Sequence, residues 1–314
     1  MKAQSYNSNF KVMVLGGSGF LGVNFVRYFS KQQSVTATYS NSNFNSLPDA
    51  DWVKFEAKNV NELHHILLKF NPNLLINCIA LANVDACEID PANAEFLNTF
   101  FPGEVSKICR ELGIKFVHIS TDHQESINGQ LRTESDQSNF VNKYGETKIL
   151  GDKAVISNNT NSIVVRTNFF GWNYLKRNSF LDSILKKLIQ GQDFQAFDDI
   201  YFTPVSIYEL FRNILYLNNC DFKGLVNVSS SSVLTKYEFA KAVISFTNFD
   251  PNRIIKSSIV DLNLPAKRPG NMSLDNSLLK SVTGNEIPSV QDMIAWIMQD
   301  IGNPLGKKEK NVYL

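Results

Sequence analysis

The chain has 314 residues, 43% of them hydrophobic and 19% charged, and its formal net charge is +1. This composition is ordinary for a soluble globular protein that folds as one large domain or two smaller ones. A net charge near zero gives no general attraction to nucleic acid or anionic membranes, and no apolar run approaches the length of a transmembrane helix. Because residues 1–9 are polar and lack an apolar signal core, we expect a cytoplasmic protein.

The cysteines do not resemble a metal site. They are Cys78, Cys87, Cys109 and Cys220, and their spacing matches no zinc-binding pattern. Three of them lie in apolar segments, where a reduced and buried thiol is the usual state. We therefore predict no bound metal.

Glycines follow the first apolar run of the chain, residues 11–15, and precede a helical pattern. Strand, glycine turn and helix in this order are what a dinucleotide site needs, because residues without a Cβ let backbone amides approach a pyrophosphate. Gly17, Gly19 and Gly22 fit the common fingerprint, whereas Gly16, Gly19 and Gly22 fit a version with three-residue spacing. A loop that merely turns the chain is the alternative, and the flanking strand and helix make it less favoured.

The second predicted strand, residues 35–39, ends where such folds face the adenosine ribose. An acidic residue there would bind the 2′-hydroxyl of NAD. This chain instead has Ser40, Asn41, Ser42 and Asn43, which leave room for a 2′-phosphate and can hydrogen-bond to it. We therefore predict NADP as the cofactor, with NAD as the second choice.

The first half of the chain continues to alternate strand and helix patterns. Strands are expected at about residues 52–57, 74–80, 114–119 and 162–167, and helices at about 20–32, 60–70 and 92–112. This alternation is typical of a parallel sheet with crossover helices. We therefore predict an α/β fold in which residues 10–170 form a doubly wound parallel (Rossmann) sheet that binds NAD(P), with a returning strand near 224–229. Residues 171–301 should mostly form a second, smaller mixed α/β substrate domain, and residues 302–314 a flexible tail.

Tyr144 and Lys148 are four residues apart and so lie on one face of a predicted helix. An ammonium beside the phenol favours its ionised form, which makes Tyr144 a usable acid near neutral pH. The same spacing recurs at Tyr237 and Lys241, which we interpret as the surface of an ordinary amphipathic helix.

The two pairs differ in what precedes them. A buried strand pattern at residues 114–119 runs into Ser-Thr-Asp at 120–122 before Tyr144, and nothing comparable precedes the second pair. A parallel strand delivers the residues at its carboxyl end to the ligand-binding edge of the sheet. The context therefore favours Tyr144 as the functional tyrosine, with Thr121 beside it.

A set of motifs occurs in a fixed order over about residues 10–300. They are Gly16-Gly17-Ser18-Gly19-Phe20-Leu21-Gly22, Asn77-Cys78-Ile79-Ala80, Asn83-Val84-Asp85-Ala86-Cys87-Glu88, Ile119-Ser120-Thr121-Asp122, Tyr144-Gly145-Glu146-Thr147-Lys148, Arg166-Thr167 and Lys267-Arg268-Pro269. Together they resemble the dTDP-4-dehydrorhamnose reductase branch of the extended short-chain dehydrogenase/reductases. The resemblance implies an NADP-dependent reductase of a nucleotide-linked 4-keto-6-deoxy sugar, in the biosynthesis of polysaccharide precursors. A nucleotide-diphosphate sugar is then the expected partner, and a homodimer is left open.

The resemblance also implies roles for individual residues. Tyr144 would protonate the carbonyl oxygen, Thr121 would hydrogen-bond the same oxygen, and Lys148 would hold the nicotinamide ribose and lower the pKa of the phenol. The residues expected to bind the cofactor are Gly16, Ser18, Gly19, Phe20, Leu21, Gly22, Ser40, Asn41, Cys78, Ile79, Ala80, Ser120, Tyr144, Lys148 and Asn168. Those expected to contact the substrate are Ala82, Val84, His123, Phe169, Phe170 and Arg268.

The chain departs from this family after Asp122. The family continues with an aromatic residue and a Val-Phe-Asp-Gly turn, whereas residues 123–129 here read His-Gln-Glu-Ser-Ile-Asn-Gly. His123 could be an alternative acid or a contact for a sugar hydroxyl, although an ordinary hydrogen-bonded loop histidine is the commoner case. Substrate contacts are therefore expected to differ from those of the family.

Two other functions fit the same motifs. Epimerisation or dehydration with a retained NAD is one, although Asp122 followed by His123 is not the acidic pair typical of dehydratases. The other is a cofactor-binding regulatory subunit, like the beta subunit of methionine adenosyltransferase, and the altered loop at 123–129 favours it. The presence of Thr121, Tyr144 and Lys148 together argues against it, since a scaffold has little need for all three.

Overall fold

The computed structural model describes residues 10–31, 33–40, 49–174 and 179–299. Ser40 is therefore described, whereas Asn41 and the two residues after it in the predicted ribose site lie outside the described residues. The tail predicted at 302–314 lies outside them as well.

The strands alternate with helices through the first half of the chain, as the sequence pattern predicts. In the described part of the chain the strands are β1 (Lys11–Leu15), β2 (Ser34–Tyr39), β3 (Asp51–Lys54), β4 (Leu74–Asn77), β5 (Lys115–Ile119), β6 (Ile163–Arg166), β7 (Phe169–Phe170), β8 (Phe194–Phe197), β9 (Tyr201–Phe202), β10 (Val205–Ser206), β11 (Gly224–Asn227), β12 (Leu234–Thr235) and β13 (Ile254–Ser257). The α-helices are α1 (Phe20–Phe29), α2 (Val60–Phe70), α3 (Val84–Ile89), α4 (Pro91–Glu95), α5 (Phe101–Leu112), α6 (Lys143–Asn158), α7 (Phe180–Ile189), α8 (Ile207–Asn219), α9 (Lys236–Ile244), α10 (Ser277–Thr283) and α11 (Val290–Gln299).

Seven of the described strands form one sheet in the order β11-β6-β5-β4-β1-β2-β3. The neighbouring pairs from β6 to β3 are all parallel. The chain moves outward from β1 to β3 and then returns to β4 on the other side of β1. This reversal makes the sheet doubly wound, and ligands of such sheets bind at the carboxyl ends of the strands beside the reversal. The predicted fold class is therefore confirmed.

The hydrophobic core of this sheet explains why its strands are nearly continuous apolar runs. Met13 and Leu15 of β1, two residues apart, point to the same face, where they join a buried cluster with Leu75, Phe116 and Val164. Leu63 and Leu67 of α2 and Phe101, Val105 and Cys109 of α5 also belong to that cluster. Strands covered in this way need apolar side chains at almost every position.

The helix predicted at 92–112 is interrupted. Its middle, Phe96–Phe100, is a π-helical turn between α4 and α5. Pro102 has no N–H to donate to the carbonyl four residues earlier, at Asn98, so the regular α-helical ladder cannot pass through this point. The predicted strands at 52–57 and 74–80 are shorter than expected, because β3 ends at Lys54 and β4 at Asn77.

The described residues divide into two compact units. One is formed from the described parts of residues 10–120, 146–165 and 221–225, and the other from those of residues 121–145, 166–220 and 226–299. The second unit contains three two-stranded sheets, pairing β7 with β10, β8 with β13 and β9 with β12. The assignment of cofactor and substrate to separate domains stays a prediction. Among the described residues no helix has the length and apolar character needed to cross a membrane.

Candidate active site

The glycine turn after β1 has the geometry of the three-residue spacing. Gly16 has φ +74°, and its carbonyl accepts a hydrogen bond of 2.9 Å from the amide of Gly19. A Cβ on Gly22 would lie 2.1 Å from the same carbonyl oxygen. The backbones of Gly16 and Gly22 are therefore too close together for any side chain at position 22.

The start of α1 fits an anionic group. Its first residue follows Gly19, which has no side chain to cap the helix, and within the described α1 the first turn contains no acidic residue. The helix dipole and the amides at such a start favour a phosphate. Ser18, Gly19 and Phe20 are half-buried at this turn, while Leu21 and Gly22 are buried. These residues therefore fit the pyrophosphate of a dinucleotide.

Lys148 lies on the buried face of α6. Its side chain is 1% exposed, and its Nζ atom donates a hydrogen bond of 2.8 Å to the carbonyl of Ile119, the last residue of β5. The Nζ atom also lies 3.2 Å from Nε2 of His118. Burial lowers the pKa of Lys148 to about 8, although Asp152 and Cys78 act in the opposite direction. The predicted catalytic lysine is thus a buried group whose pKa lies well below its ordinary value of 10.5.

The π-helical turn fixes the position of α6. Asn98 donates from Nδ2 to the hydroxyl of Thr147 at 3.2 Å, and Thr99 donates to the carbonyl of Thr147 at 2.7 Å. Asn98 also accepts the amide of Leu81 at 2.9 Å, so it ties the segment after β4 to the helix. Such turns are frequent at functional sites, and this one holds the residue next to Lys148.

The predicted tyrosine and threonine both contact His123. The ring of Tyr144 meets the imidazole of His123 edge-on, with ring centroids 5.2 Å apart. The backbone amide of His123 donates to Oγ1 of Thr121 at 3.2 Å. Thr121 is 5% exposed and Tyr144 is half-buried. The structure therefore brings these three predicted residues together.

His123 is a neutral acceptor in this arrangement. The Oδ1 atom of Asn142 accepts the amide of Gly145 at 2.9 Å, so the Nδ2 atom of Asn142 faces Nε2 of His123 at 2.8 Å. The pKa of His123 is lowered to about 4 by burial and by Arg268 and Lys236. A group of this pKa carries no proton to donate at neutral pH, which disfavours His123 as the alternative acid.

Asp122, next to Thr121, is a buried carboxyl. The sequence motifs point to it only as half of an acidic pair. Its Oδ2 atom accepts a hydrogen bond of 2.9 Å from Asn168. Burial raises its pKa to about 6, while Lys236 and Asn168 act to lower it. Lys236 lies with Nζ 3.3 Å from the ring centroid of Phe202, and burial lowers its pKa to about 8.

The divergent loop at 123–129 holds the loop that carries Arg268. Glu125 accepts the amides of Gly270 at 2.7 Å and Asn271 at 3.0 Å. The buried Arg132 donates in turn to the carbonyl of Glu125 at 3.0 Å. The residues that replace the family pattern are therefore structural partners of the loop at 266–271.

The other predicted site residues differ in their exposure. Cys78, Ile79, Ala80, Val84, Asn168, Phe169 and Arg268 are half-buried, Ser120 is buried, and Ser40 and Ala82 are exposed. Phe170 is 4% exposed and packs on Phe239 with ring centroids 5.0 Å apart. Its side chain thus belongs to the core of the second unit, and its predicted contact with substrate stays a prediction.

The second tyrosine and lysine pair lies on α9. Tyr237 faces the ammonium of Lys256 at 5.1 Å, and Lys241 donates to the carbonyl of Pro251 at 3.0 Å. These contacts agree with an ordinary helix surface. Lys236, one residue earlier, was missed by motif reasoning because its environment is set by Phe202, which is distant in the sequence.

His118 was also missed. A polar residue inside a buried apolar strand is a signal in itself, since such groups need partners. The described residues contain no group of three or more histidine, cysteine or acidic side chains that could hold a metal ion. The cysteines are free thiols, with Cys87 and Cys109 buried, Cys78 half-buried and Cys220 exposed.

Comparison with known proteins identifies relatives along nearly the whole chain. A family model described as the RmlD substrate binding domain matches residues 10–302. A probable low-salt glycan biosynthesis reductase, Agl14, of Haloferax volcanii is 27% identical over 290 residues, which cover 90% of this chain and 95% of that protein. The methionine adenosyltransferase 2 subunit beta of Mus musculus is 27% identical over 87% of this chain and 82% of its own. The dTDP-4-dehydrorhamnose reductase of Salmonella typhimurium is 29% identical over 66% of this chain and 72% of its own.

Solved structures share the fold. The crystal structure of dTDP-4-dehydrorhamnose reductase from Bacillus anthracis, in complex with NADP, has a TM-score of 0.77 and 21% sequence identity. The match covers 92% of this chain and 98% of the other. The chain therefore belongs to the RmlD family of the extended short-chain dehydrogenase/reductases, as its motifs predict, and so to a family of NAD(P)-dependent oxidoreductases.

Proposed function

We propose that the protein is an NADP-dependent reductase of a nucleotide-linked 4-keto-6-deoxy sugar in the biosynthesis of glycan precursors. The observation that carries this proposal is that Thr121 and Tyr144 both contact His123, with Lys148 one turn beyond Tyr144 on α6. An acid, a hydroxyl that orients a carbonyl oxygen, and a titratable lysine are the groups that ketone reduction uses.

Each group has a defined task. The phenol of Tyr144 would donate a proton to the carbonyl oxygen of the substrate, and Thr121 would hydrogen-bond the same oxygen. Lys148 would hold the nicotinamide ribose, and the turn from Gly16 to Gly22 would hold the pyrophosphate. The cofactor, when bound, supplies the hydride that reduces the carbonyl carbon.

NADP is proposed over NAD because Ser40 stands where an acidic residue would bind the ribose of NAD. A serine cannot repel a 2′-phosphate, and it can donate a hydrogen bond to it. Calorimetric titration with NADPH and NADH measures this preference directly. Equal affinities, or tighter binding of NADH, would contradict it.

The sugar nucleotide is proposed from the family and from the loop that carries Arg268. A guanidinium can form two charge-assisted bonds to a phosphate at once, and Arg268 is only half-buried. His123 and Phe169 would then contact the sugar. The names of the Haloferax and Salmonella relatives, a glycan biosynthesis reductase and a dTDP-4-dehydrorhamnose reductase, support this class of substrate.

A non-catalytic, cofactor-binding subunit is the second candidate function. The similarity to the methionine adenosyltransferase beta subunit supports it, as does the replaced loop at 123–129. A sugar-nucleotide epimerase or dehydratase is a third, less favoured candidate, because residues 122 and 123 do not form the acidic pair.

A substrate screen separates these functions. The purified protein is mixed with NADPH and a panel of 4-keto-6-deoxy sugars on different nucleoside diphosphates, and the loss of NADPH absorbance is followed. Turnover of at least one member is expected. Tight NADPH binding with every sugar nucleotide recovered unchanged would favour the regulatory subunit. Conversion of a sugar nucleotide, followed by chromatography, without loss of NADPH absorbance would favour an epimerase or dehydratase.

A further inference from the structure

Asn77 and His118 connect the ends of two neighbouring strands to Lys148. They are register partners on β4 and β5, and Nδ2 of Asn77 lies 3.1 Å from Nδ1 of His118. The other ring nitrogen, Nε2, is the atom that lies 3.2 Å from Nζ of Lys148. Asn77, His118 and Lys148 are each at most 1% exposed. These side chains must therefore satisfy one another rather than share water.

The direction of each hydrogen bond follows from the backbone of Ile79. Its amide donates to Oδ1 of Asn77 at 3.0 Å, so the amide oxygen of Asn77 is turned toward Ile79 and its NH₂ group toward His118. Nδ1 of His118 must then be an unprotonated acceptor. A neutral imidazole has one N–H, and His118 therefore carries its proton on Nε2.

This tautomer affects the protonation state of Lys148. An ammonium has three N–H donors and no lone pair, so a charged Lys148 would point a donor at the N–H of His118. A neutral amine accepts that N–H and can still donate to the carbonyl of Ile119, 2.8 Å away. With the Nε2 tautomer present, the contacts of Lys148 therefore favour the amine relative to the ammonium.

We propose that Asn77 and His118 are positioning residues that lower the proton affinity of Lys148 in the free protein. This inference rests on the proposed reductase function for its purpose, because Lys148 matters only if the site is catalytic. Its physical content, the tautomer of His118 and the proton on Lys148, does not depend on activity.

The charged and titratable groups around Lys148 agree with the proposal. Burial lowers the pKa of Lys148 to about 8, with Asp152 and Cys78 acting to raise it. Burial and Lys148 together hold the pKa of His118 well below its ordinary value, and burial raises the pKa of the Cys78 thiol. The hydrogen bond from His118 acts in the same direction as burial, so Lys148 should titrate at or below about 8.

A lower proton affinity of Lys148 bears on the proposed acid. An ammonium one turn away on α6 favours release of the proton from the phenol of Tyr144, so the charge of Lys148 affects how readily the phenol donates. Asn77 and His118 would thus bring the titration of this charge closer to neutral pH.

Nuclear magnetic resonance of the unliganded wild-type protein tests the proposal without a substrate. The ¹⁵N shifts of His118 distinguish a protonated from an unprotonated ring nitrogen, and the ¹³Cε shift of Lys148 follows its titration. A protonated Nε2 and a lysine that titrates at or below about 8 are expected. A protonated Nδ1, or a lysine that titrates at its ordinary value of 10.5, would overturn the proposal.

An Asn77→Asp variant tests the direction of the hydrogen bonds that link Asn77, His118 and Lys148. A carboxylate accepts from both Ile79 and His118, which moves the proton of His118 to Nδ1 and leaves Nε2 as an acceptor for an ammonium. The proton affinity of Lys148 should then rise at least about tenfold. In a His118→Phe background the same substitution can act only through its charge, and a smaller rise is expected there. An equal rise in both backgrounds would overturn the relay through His118. If the variants do not fold, the ring-nitrogen shifts of the wild type decide the question alone.

Discussion

The imidazole of His123 meets the phenol ring of Tyr144 edge-on at 5.2 Å between centroids, while its Nε2 is held by Asn142 at 2.8 Å. His123 therefore supports the ring of the proposed acid but is itself committed to a hydrogen bond. A histidine in this position contributes packing and orientation rather than a proton.

His123 should make the fold sensitive to acid. Its pKa is lowered from 6.5 to about 4 in the folded protein, so between these values the unfolded chain binds more protons than the native state. Stability therefore falls as the pH drops through this window and is constant above it. At pH 5 the loss from this one group is about 2 kcal/mol relative to pH 7.

Other buried groups also make stability depend on pH, because the pKa of His118 is lowered on folding and that of Asp122 is raised. A His123→Gln variant keeps these groups and so isolates the contribution of His123. Urea unfolding of both proteins at pH 7 and pH 5 gives the comparison. Between pH 7 and pH 5 the wild type should lose about 2 kcal/mol more of its free energy of unfolding than the variant does. A difference that does not change with pH would show that His123 is protonated in the folded protein.

Protonation of Asp122 should lower the activity at acid pH. Its pKa is raised to about 6 by burial, and its carboxylate accepts a hydrogen bond from Asn168 and lies next to Thr121 in the chain. Protonation removes the charge that Lys236 faces. We expect kcat/KM of the wild type to fall below about pH 6, and this fall to be absent in Asp122→Asn. If kcat/KM of the variant falls at low pH as that of the wild type does, another group is responsible.

Gly22→Ala should abolish or strongly weaken NADPH binding. The added Cβ would lie 2.1 Å from the carbonyl oxygen of Gly16, so the turn must open, at a cost of about 1–3 kcal/mol. Calorimetric titration should show at least about tenfold weaker binding. Gly270→Ala is the matched control, because its nearest neighbour would be 3.8 Å away. Unchanged binding in Gly22→Ala would place the cofactor elsewhere.

Glu125→Ala should raise KM for the sugar nucleotide with little effect on kcat. The variant loses two charge-assisted bonds to the backbone of the loop that carries Arg268, and each such bond contributes about 1.5–3 kcal/mol. Since part of this energy is recovered as the loop relaxes, KM should rise roughly tenfold. Glu286→Ala, which removes an exposed ion pair with Lys280, should leave both constants unchanged. A fall in kcat alone would mean that Glu125 serves the reaction and not the loop.

The sequence predicts those parts of the site that rest on local order. The glycine turn follows a strand and precedes a helix, and Tyr144 and Lys148 are fixed by helical spacing, so neither requires knowledge of distant contacts. Asn77 and His118 meet only through the register of β4 and β5, 41 residues apart. Glu125 and Gly270 are 145 residues apart, and their contact is unreadable from the pattern of either segment.

Tyr144→Phe should separate the proposed active helix from its copy on α9. The substitution removes the phenolic hydroxyl and keeps the ring that packs on His123, so the fold and NADPH binding should survive. Loss of a general acid lowers turnover by roughly two to four orders of magnitude. Tyr237→Phe makes the same chemical change beside Lys241, whose Nζ donates a hydrogen bond to the carbonyl of Pro251, and turnover should be nearly unchanged.

Steady-state kinetics of the two variants on a keto sugar nucleotide, with calorimetry for NADPH, gives the comparison. Equal kinetics in the two variants would show that α6 is not the helix that donates the proton, and a loss of NADPH binding in Tyr144→Phe would show that the tyrosine holds the cofactor rather than acting on the substrate.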